Sequence, residues 1–329
     1  MANSRNSGFA DLLLDATAAC LRHHLQKGQT LAVALSGGRD SVALLHALHA
    51  MQSEISYTLR ACHVNHHLSP NADAWESFCR DLCNENGIPL DVFHVDVPRN
   101  CGTGLEAAAR KVRYQALIQT SADWLAFAHH RGDQAETLLF NLLRGAGLRG
   151  AAAMQETRTL RPGLQLIRPL LGVSRAIVEA YLKRHGLSWI DDESNTDTEL
   201  SRNFLRREIL PVLSERFPAA EASLAGAAER FGEAETLLGE LAMADLAGNP
   251  PKFPLPLACF AQISEPRGRN LLRFMLGRYD VQIPSEEKLG EALRQLLTAK
   301  PDRHPEISFG EFCLCRKRDK VCLDQRSHA

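Results

Sequence analysis

At 329 residues the chain is long enough for two domains, each with its own core. It is 45% apolar and 23% charged, as an ordinary soluble globular protein is, and no apolar stretch approaches the length of a membrane span. Its net charge of −1 argues by itself neither for nor against nucleic acid.

The polar start, Met1 to Gly8, has no hydrophobic signal region or cleavage site, so the expected location is cytoplasmic. An apolar run, Leu31–Leu35, then reads as a short buried strand, and a helical pattern follows at 41–52. Further strands are predicted at Leu59–Val64, Leu90–Val95 and Trp124–Ala128, with helices at 71–86 and 104–120 between them. This alternation predicts an α/β fold, a Rossmann-like parallel sheet with helices on both faces. Ligands of such sheets bind beyond the carboxyl ends of the strands. A helix over Ser174–His185, a polar loop from Asp191 to Arg202 and a short helix over Asn203–Val212, stopped by Pro211, come next. The domain boundary is expected at Phe217–Pro218, giving domains 1–217 and 218–329. The second opens with a long connector helix to about Leu246, passes a proline-rich linker at 249–256, and is then helical to 298. It closes with two strands, a short β-hairpin, over 306–324.

Three strand ends carry polar constellations. The first is Ser36-Gly37-Gly38-Arg39-Asp40-Ser41, where two glycines can take positive φ and the next helix offers N–H groups to phosphate. It matches neither a Walker A loop nor a dinucleotide fingerprint. An ordinary glycine turn is the bland alternative, but Asp40 adds a carboxylate suited to Mg²⁺. S-G-G-x-D-S after a strand resembles the PP-loop of ATP pyrophosphatases, which cut ATP to AMP and pyrophosphate.

The second constellation is His63-Val-Asn-His66-His67; the third is His129-His130-Arg131-Gly132-Asp133, opening a helix that also holds Glu136. Asp133 and Glu136 suit a lysine ammonium, Mg²⁺ or simple helix capping. Arg110 and Arg113, three apart on one helical face, suit a phosphate clamp or solvent. Arg202, Arg206 and Arg207 suit phosphate contact. Residues 101–186 carry 12 Lys and Arg against 6 Asp and Glu, whereas 1–100 carry 7 against 10 and 187–329 carry 19 against 23. A polyanion partner fits that basic middle, and so does a solvated face. The nine cysteines include no C-x-x-C and predict reduced, mostly buried thiols rather than a zinc or iron–sulfur site.

Together these runs closely resemble the bacterial tRNA(Ile)-lysidine synthetase family of PP-loop enzymes. The matching segments are Ser36–Ser41, His63–Trp75, Leu105–Tyr114, Ala128–Thr137 through Gly147, Arg168-Pro-Leu-Leu171, and Asp192–Asp197 with Arg202-Asn203. The resemblance covers residues 31–211 and is looser in the C-terminal third. It implies adenylation of the wobble cytidine of an isoleucine tRNA with CAU anticodon by ATP, followed by attack of L-lysine to give lysidine, AMP and pyrophosphate. By matched position, it implies Asp40, Asp133, Glu136 and Arg113 as catalytic. It likewise implies Ser36, Gly37, Gly38, Arg39, Asp40, Ser41 and His63 as the ATP site, and Asp40 as the Mg²⁺ ligand. His129 and Arg202 are implied for substrate, Arg206 and Arg207 join them on the clustering of arginines, and tRNA binding extends to the C-terminal domain. No membrane partner is expected; a homodimer is allowed, with nothing in the sequence selecting one. The family usually has Asp-Asp where this chain has Gly132-Asp133, and its longer members continue past the point matching Ala329. A PP-loop tRNA thiolase is the nearest rival, disfavoured by the missing C-x-x-C. A small-molecule amidating enzyme would need a glutaminase-like segment. A nucleotide-responsive RNA-binding protein without turnover would have no need of Asp40, Asp133 and Glu136.

Overall fold

The computed structural model describes residues 3–98, 105–191, 201–279, 281, 284–300, 303 and 305–325, with side chains left undescribed at 3–11 and at 106. The chain divides into two compact units, Met1–Gly232 and Glu233–Ala329. The division falls inside the long helix that follows Pro218, rather than at its start.

The first unit runs α1 (Asn3–His24), β1 (Thr30–Ala34), α2 (Arg39–Met51), β2 (Thr58–Asn65), α3 (Ala72–Glu85), β3 (Leu90–His94), α4 (Leu105–Leu117), β4 (Trp124–Ala126), α5 (Arg131–Leu143), α6 (Leu148–Ala151), β5 (Thr157–Arg161), β6 (Leu164–Ile167) and α7 (Arg175–His185). The sheet order is β3-β2-β1-β4-β6-β5, parallel throughout except for β5, which pairs antiparallel with β6 at the edge. β1 is central, and Leu31, Ala32 and Val33 are all fully buried, which is why its sequence reads as an unbroken apolar run. One sheet face packs on α1, α2 and α7 through residues such as Leu44, Leu48, Val178 and Tyr181; the other packs on Leu117 and Tyr114 of α4. Each fully buried leucine contributes about 1.5–3 kcal/mol relative to an exposed one. The chain builds β1, β2 and β3 outward in one direction, then returns to place β4 on the far side of β1. The crevice at the carboxyl ends of β1 and β4 is therefore the switch point where α/β sheets bind ligands.

After α7 a helical stretch runs as α8 (Ser201–Phe204), a wide π turn (Leu205–Ile209) and α9 (Leu210–Arg216). Pro211 does not stop this helix. It lacks an N–H and crowds the carbonyl four residues back, and the preceding turn widens to accommodate it.

α10 (Ala220–Asp245) leads into the second unit, where β7 (Leu255–Pro256), α11 (Ala258–Ala261), α12 (Glu265–Gly277) and α13 (Glu286–Thr298) precede β8 (Glu306–Phe309), β9 (Phe312–Lys317) and β10 (Lys320–Gln325). The stretch expected as one hairpin forms three strands, turning at Gly310 and again at Arg318–Asp319, and joins β7 in an antiparallel sheet of order β7-β10-β9-β8. Leu271, Met275, Leu289, Leu293, Leu314 and Val321 form its core. Among the described residues no helix is long and apolar enough to cross a membrane.

Candidate active site

The turn after β1 is built almost wholly from its own short side chains. Ser41 Oγ donates to Gly38 O at 2.8 Å and accepts from Ser36 N at 3.2 Å, while Ser36 Oγ lies 3.1 Å from Ser41 Oγ and accepts from Gly38 N. Gly37 has φ +82°, and a Cβ there would sit 2.9 Å from Ile190 Cδ1 and 3.2 Å from Cys79 Sγ. Glycine is thus required twice over, by backbone and by space. Gly38 does not take positive φ; it is extended (φ −73°, ψ 161°) and caps α2, which starts two residues earlier than its sequence pattern suggests. The first turn of α2 therefore directs its unpaired N–H groups at the cleft.

Asp40 stands in that first turn with its side chain 30% exposed, 3.1 Å from Arg39 Nε and 4.0 Å from His130 Nε2. Arg39 also reaches Glu179 at 3.0 Å. The Asp40 carboxylate, which opens into the cleft beside the phosphate turn, is a hard oxygen donor of the kind that would hold Mg²⁺ against phosphate. Beside it, at the end of β2, buried His63 donates from Nδ1 to Leu35 O at 2.9 Å and presents Nε2 as an acceptor. Burial holds its pKa below the usual histidine value.

Across the switch point, β4 is followed by His129 and His130, just before α5. His130 caps α5: its Nδ1 accepts from the N–H of Gly132 at 3.0 Å and of Asp133 at 3.4 Å, and Asp133 Oδ2 accepts from His130 N at 2.9 Å. A Cβ on Gly132 would lie 2.8 Å from His130 Cε1, so glycine at this position makes room for the folded-back ring. Asp133 and Glu136 share one face of α5, one turn apart. Glu136 is 1% exposed. Arg206 bridges the two acids, with Nη2 3.1 Å from Asp133 Oδ1 and 2.8 Å from Glu136 Oε2, and Nε 2.9 Å from Glu136 Oε2. Arg202 adds a contact to Glu136 Oε1 at 3.3 Å and lies over the Phe140 ring.

The two acids sit in different environments. Burial pushes Asp133 up, but His130, His129, the His130 N–H and Arg206 outweigh it, and its pKa is held below the usual carboxylate range. For Glu136 burial prevails: Arg206 pulls down, Asp133 pushes up again, and the net direction is upward.

Arg113, half-buried on α4, lines the same cleft, whereas Arg110 is exposed and does not. The cleft holds about 860 Å³ and brings together Ser36, Gly38, Arg39, Asp40, Ser41, His63, Arg113, His129, Asp133, Arg206 and Arg207. Among the sequence-predicted residues, Glu136 and Arg202 stand behind this lining, and Gly37 supports it from within the turn.

Residues 12–213 match the PP-loop domain family, and residues 255–322 match the TilS substrate binding domain. The chain is 45% identical over 298 residues to the tRNA(Ile)-lysidine synthase of Aromatoleum aromaticum, covering 90% of this chain and 69% of that one. It is 41% identical over 306 residues to that of Nitrosomonas europaea, covering 92% and 67%. The chain belongs to the tRNA(Ile)-lysidine synthase family. A solved U34-tRNA thiolase from Methanococcus maripaludis shares the fold, with TM-score 0.61 and 20% identity over 69% of this chain and 80% of that one.

As a tRNA(Ile)-lysidine synthase family member, the chain uses ATP, as PP-loop proteins do. Sequence reasoning assigned Arg202 and Arg206 to phosphate contact, but here they pair with the two acids, and only Arg207 of the three is exposed. The spacing, arginines at i, i+4 and acids at i, i+3, is compatible with this pairing but does not select it over phosphate contact. Sequence reasoning also gave no role to Arg168, which is 5% exposed and holds His129, nor to Phe127, on which the His129 ring stacks. The run Asp192–Asp197 lies outside the described residues, as do Cys101 and the Glu106 side chain.

Proposed function

We propose that the chain joins L-lysine to C2 of the wobble cytidine of isoleucine tRNA with a CAU anticodon, using ATP and releasing AMP and pyrophosphate. The observation that carries this reading is the pairing of unlike binding environments in one cleft. A preformed anion turn faces a buried acidic pair whose counter-ion is the partly exposed guanidinium of Arg206.

In the first half-reaction the cytosine C2 oxygen attacks the α-phosphorus of ATP, and the bond to pyrophosphate breaks. The Ser36–Ser41 turn holds the departing pyrophosphate through backbone N–H groups and the α2 N-terminus, and Arg113 supplies positive charge from α4. Asp40 would hold Mg²⁺, which supplies neutralisation of phosphate charge. His63 accepts a hydrogen bond from the nucleotide through Nε2. In the second half-reaction the lysine ε-amine attacks C2, the C2–O bond breaks, and AMP leaves with that oxygen. Asp133, kept ionised, takes the incoming ammonium in place of Arg206, and Glu136, with its raised pKa, accepts the proton the amine sheds. Arg207 faces tRNA phosphate.

Cys62 is no competing nucleophile. Burial pushes its thiol up to about 11, and its S–H is given to Thr120 Oγ1.

The test is ATP-dependent entry of labelled L-lysine into a CAU-anticodon isoleucine tRNA transcript. Incorporation matched by AMP release is expected. AMP release without incorporation, or no reaction with the cytidine, would overturn the reading.

A further inference from the structure

The Arg168-Pro-Leu-Leu171 run has no part in the reaction as derived, yet its arginine is one of the few buried charges in the first unit. Arg168 Nε donates to His129 Nδ1 at 3.1 Å, and Nη1 donates to Gln155 O at 2.5 Å. The backbone fixes the same residue, with Arg168 N donating to Glu156 O at 2.9 Å. A guanidinium N–H has no lone pair to offer, so Nδ1 of His129 must be the unprotonated nitrogen and the ring hydrogen must be on Nε2. The ring plane is fixed as well. His129 stacks on Phe127 with centroids 5.5 Å apart and planes at 8°, and Phe127 stacks in turn on Tyr114 at 5.4 Å and 14°.

We infer that Arg168 is a positioning residue that locks His129 as an Nε2–H donor, so that His129 gives a hydrogen bond to an oxygen of bound substrate and never acts as a base. The inference rests on the reading of the cleft given above. His129 lines the cleft together with the phosphate turn and Asp133. Its charged surroundings are Asp133, Arg168, Arg110 and Arg113, and burial with these arginines outweighs Asp133, taking the ring down to about 3. A neutral donor is thus present across the whole range of about pH 5 to 8. Donation at a fixed direction suits an oxygen that gains negative charge as a bond breaks. Proton removal from the amine is left to the carboxylates on α5.

The experiment uses the full chain labelled with ¹⁵N, the His129 signals being those lost in His129→Gln. Wild-type protein should show Nδ1 unprotonated and Nε2 protonated throughout about pH 5 to 8. Arg168→Met removes the donor at similar volume; it should give a mixture of tautomers and lower kcat for lysidine formation. Arg168→Lys, which restores an N–H donor, should recover the single tautomer. A wild-type ring carrying its hydrogen on Nδ1, or an Arg168→Met protein with tautomer and kcat unchanged, overturns the inference.

Because Arg168→Met can fail to fold, a second pair is measured independently. His129→Phe should lower kcat by about 10²–10³-fold, as loss of a transition-state donor does. His129→Gln, whose amide N–H reaches toward the Nε2 position, should keep a measurable part of it. Equal loss in both variants contradicts a donor role. Titration with ATP alone identifies the acceptor: weaker ATP binding in His129→Phe marks a phosphate oxygen, and unchanged ATP binding marks an oxygen of the base. The nitrogen spectrum requires no turnover, so it fails or succeeds separately from the proposed reaction.

Discussion

The two halves of the cleft are finished to different degrees. The phosphate turn is closed on itself: Ser36, Gly38 and Ser41 satisfy one another, and no side chain has to leave for an anion to enter. The acidic pair on α5 is complete only with help from a segment some seventy residues further along, since Arg206 fills the space between Asp133 and Glu136. The first half binds by preorganisation. On the proposed reading the second binds by exchange of one cation for another, which makes its affinity a difference between two ion pairs. A buried carboxylate stripped of its partner is costly, and Arg206, with Arg202 on Glu136, supplies that partner.

The largest expected effect tests the preorganised half. Asp40→Asn should leave folding intact, because its side chain ends in the cleft and fills no core, yet reduce AMP formation by about 10²–10³-fold. AMP release in the presence of tRNA and lysine measures this. Near-normal release would remove Asp40 from the phosphate chemistry.

The smallest effect separates two neighbours of identical type. Arg207→Ala should flatten the log–log salt dependence of tRNA binding by roughly 0.7 to 0.9 and leave ATP binding alone. Arg206→Ala should leave that slope unchanged, because Arg206 faces carboxylates. The same slope change in both variants would place Arg206 on the tRNA surface and undo the distinction drawn between the two halves.

Local chemistry accounts for what was legible in the sequence. An apolar run, a serine–glycine turn and a helix start are contiguous, so β1, the phosphate turn and α2 could be read together, and the three polar strand ends pointed to one edge of the sheet. The β5–β6 pair was not read. β5 is an edge strand carrying Arg158 and Arg161 and lacks an apolar run, although Pro162-Gly163 marked the turn. The role of Arg206 was missed for a different reason: its type suits phosphate and carboxylate equally, and only the packing of the α8–α9 stretch on α5 decides between them. Arg168 was missed likewise, since nothing near it in sequence shows that its Nε meets His129. Pro211 was read as a stop because its missing N–H usually ends a helix, whereas a single widened turn accommodates it.

The exchange of Arg206 for the substrate amine is tested most directly by steady-state kinetics of Glu136→Gln and Asp133→Asn with lysine and ATP varied in turn. Asp133→Asn removes the charge that receives the ammonium and should raise the lysine KM far more than the ATP KM. Glu136→Gln should chiefly lower kcat, because the proton acceptor is lost. Equal changes in both KM values for Asp133→Asn would contradict the account and return the acidic pair to capping α5 and anchoring the helix that carries Arg206.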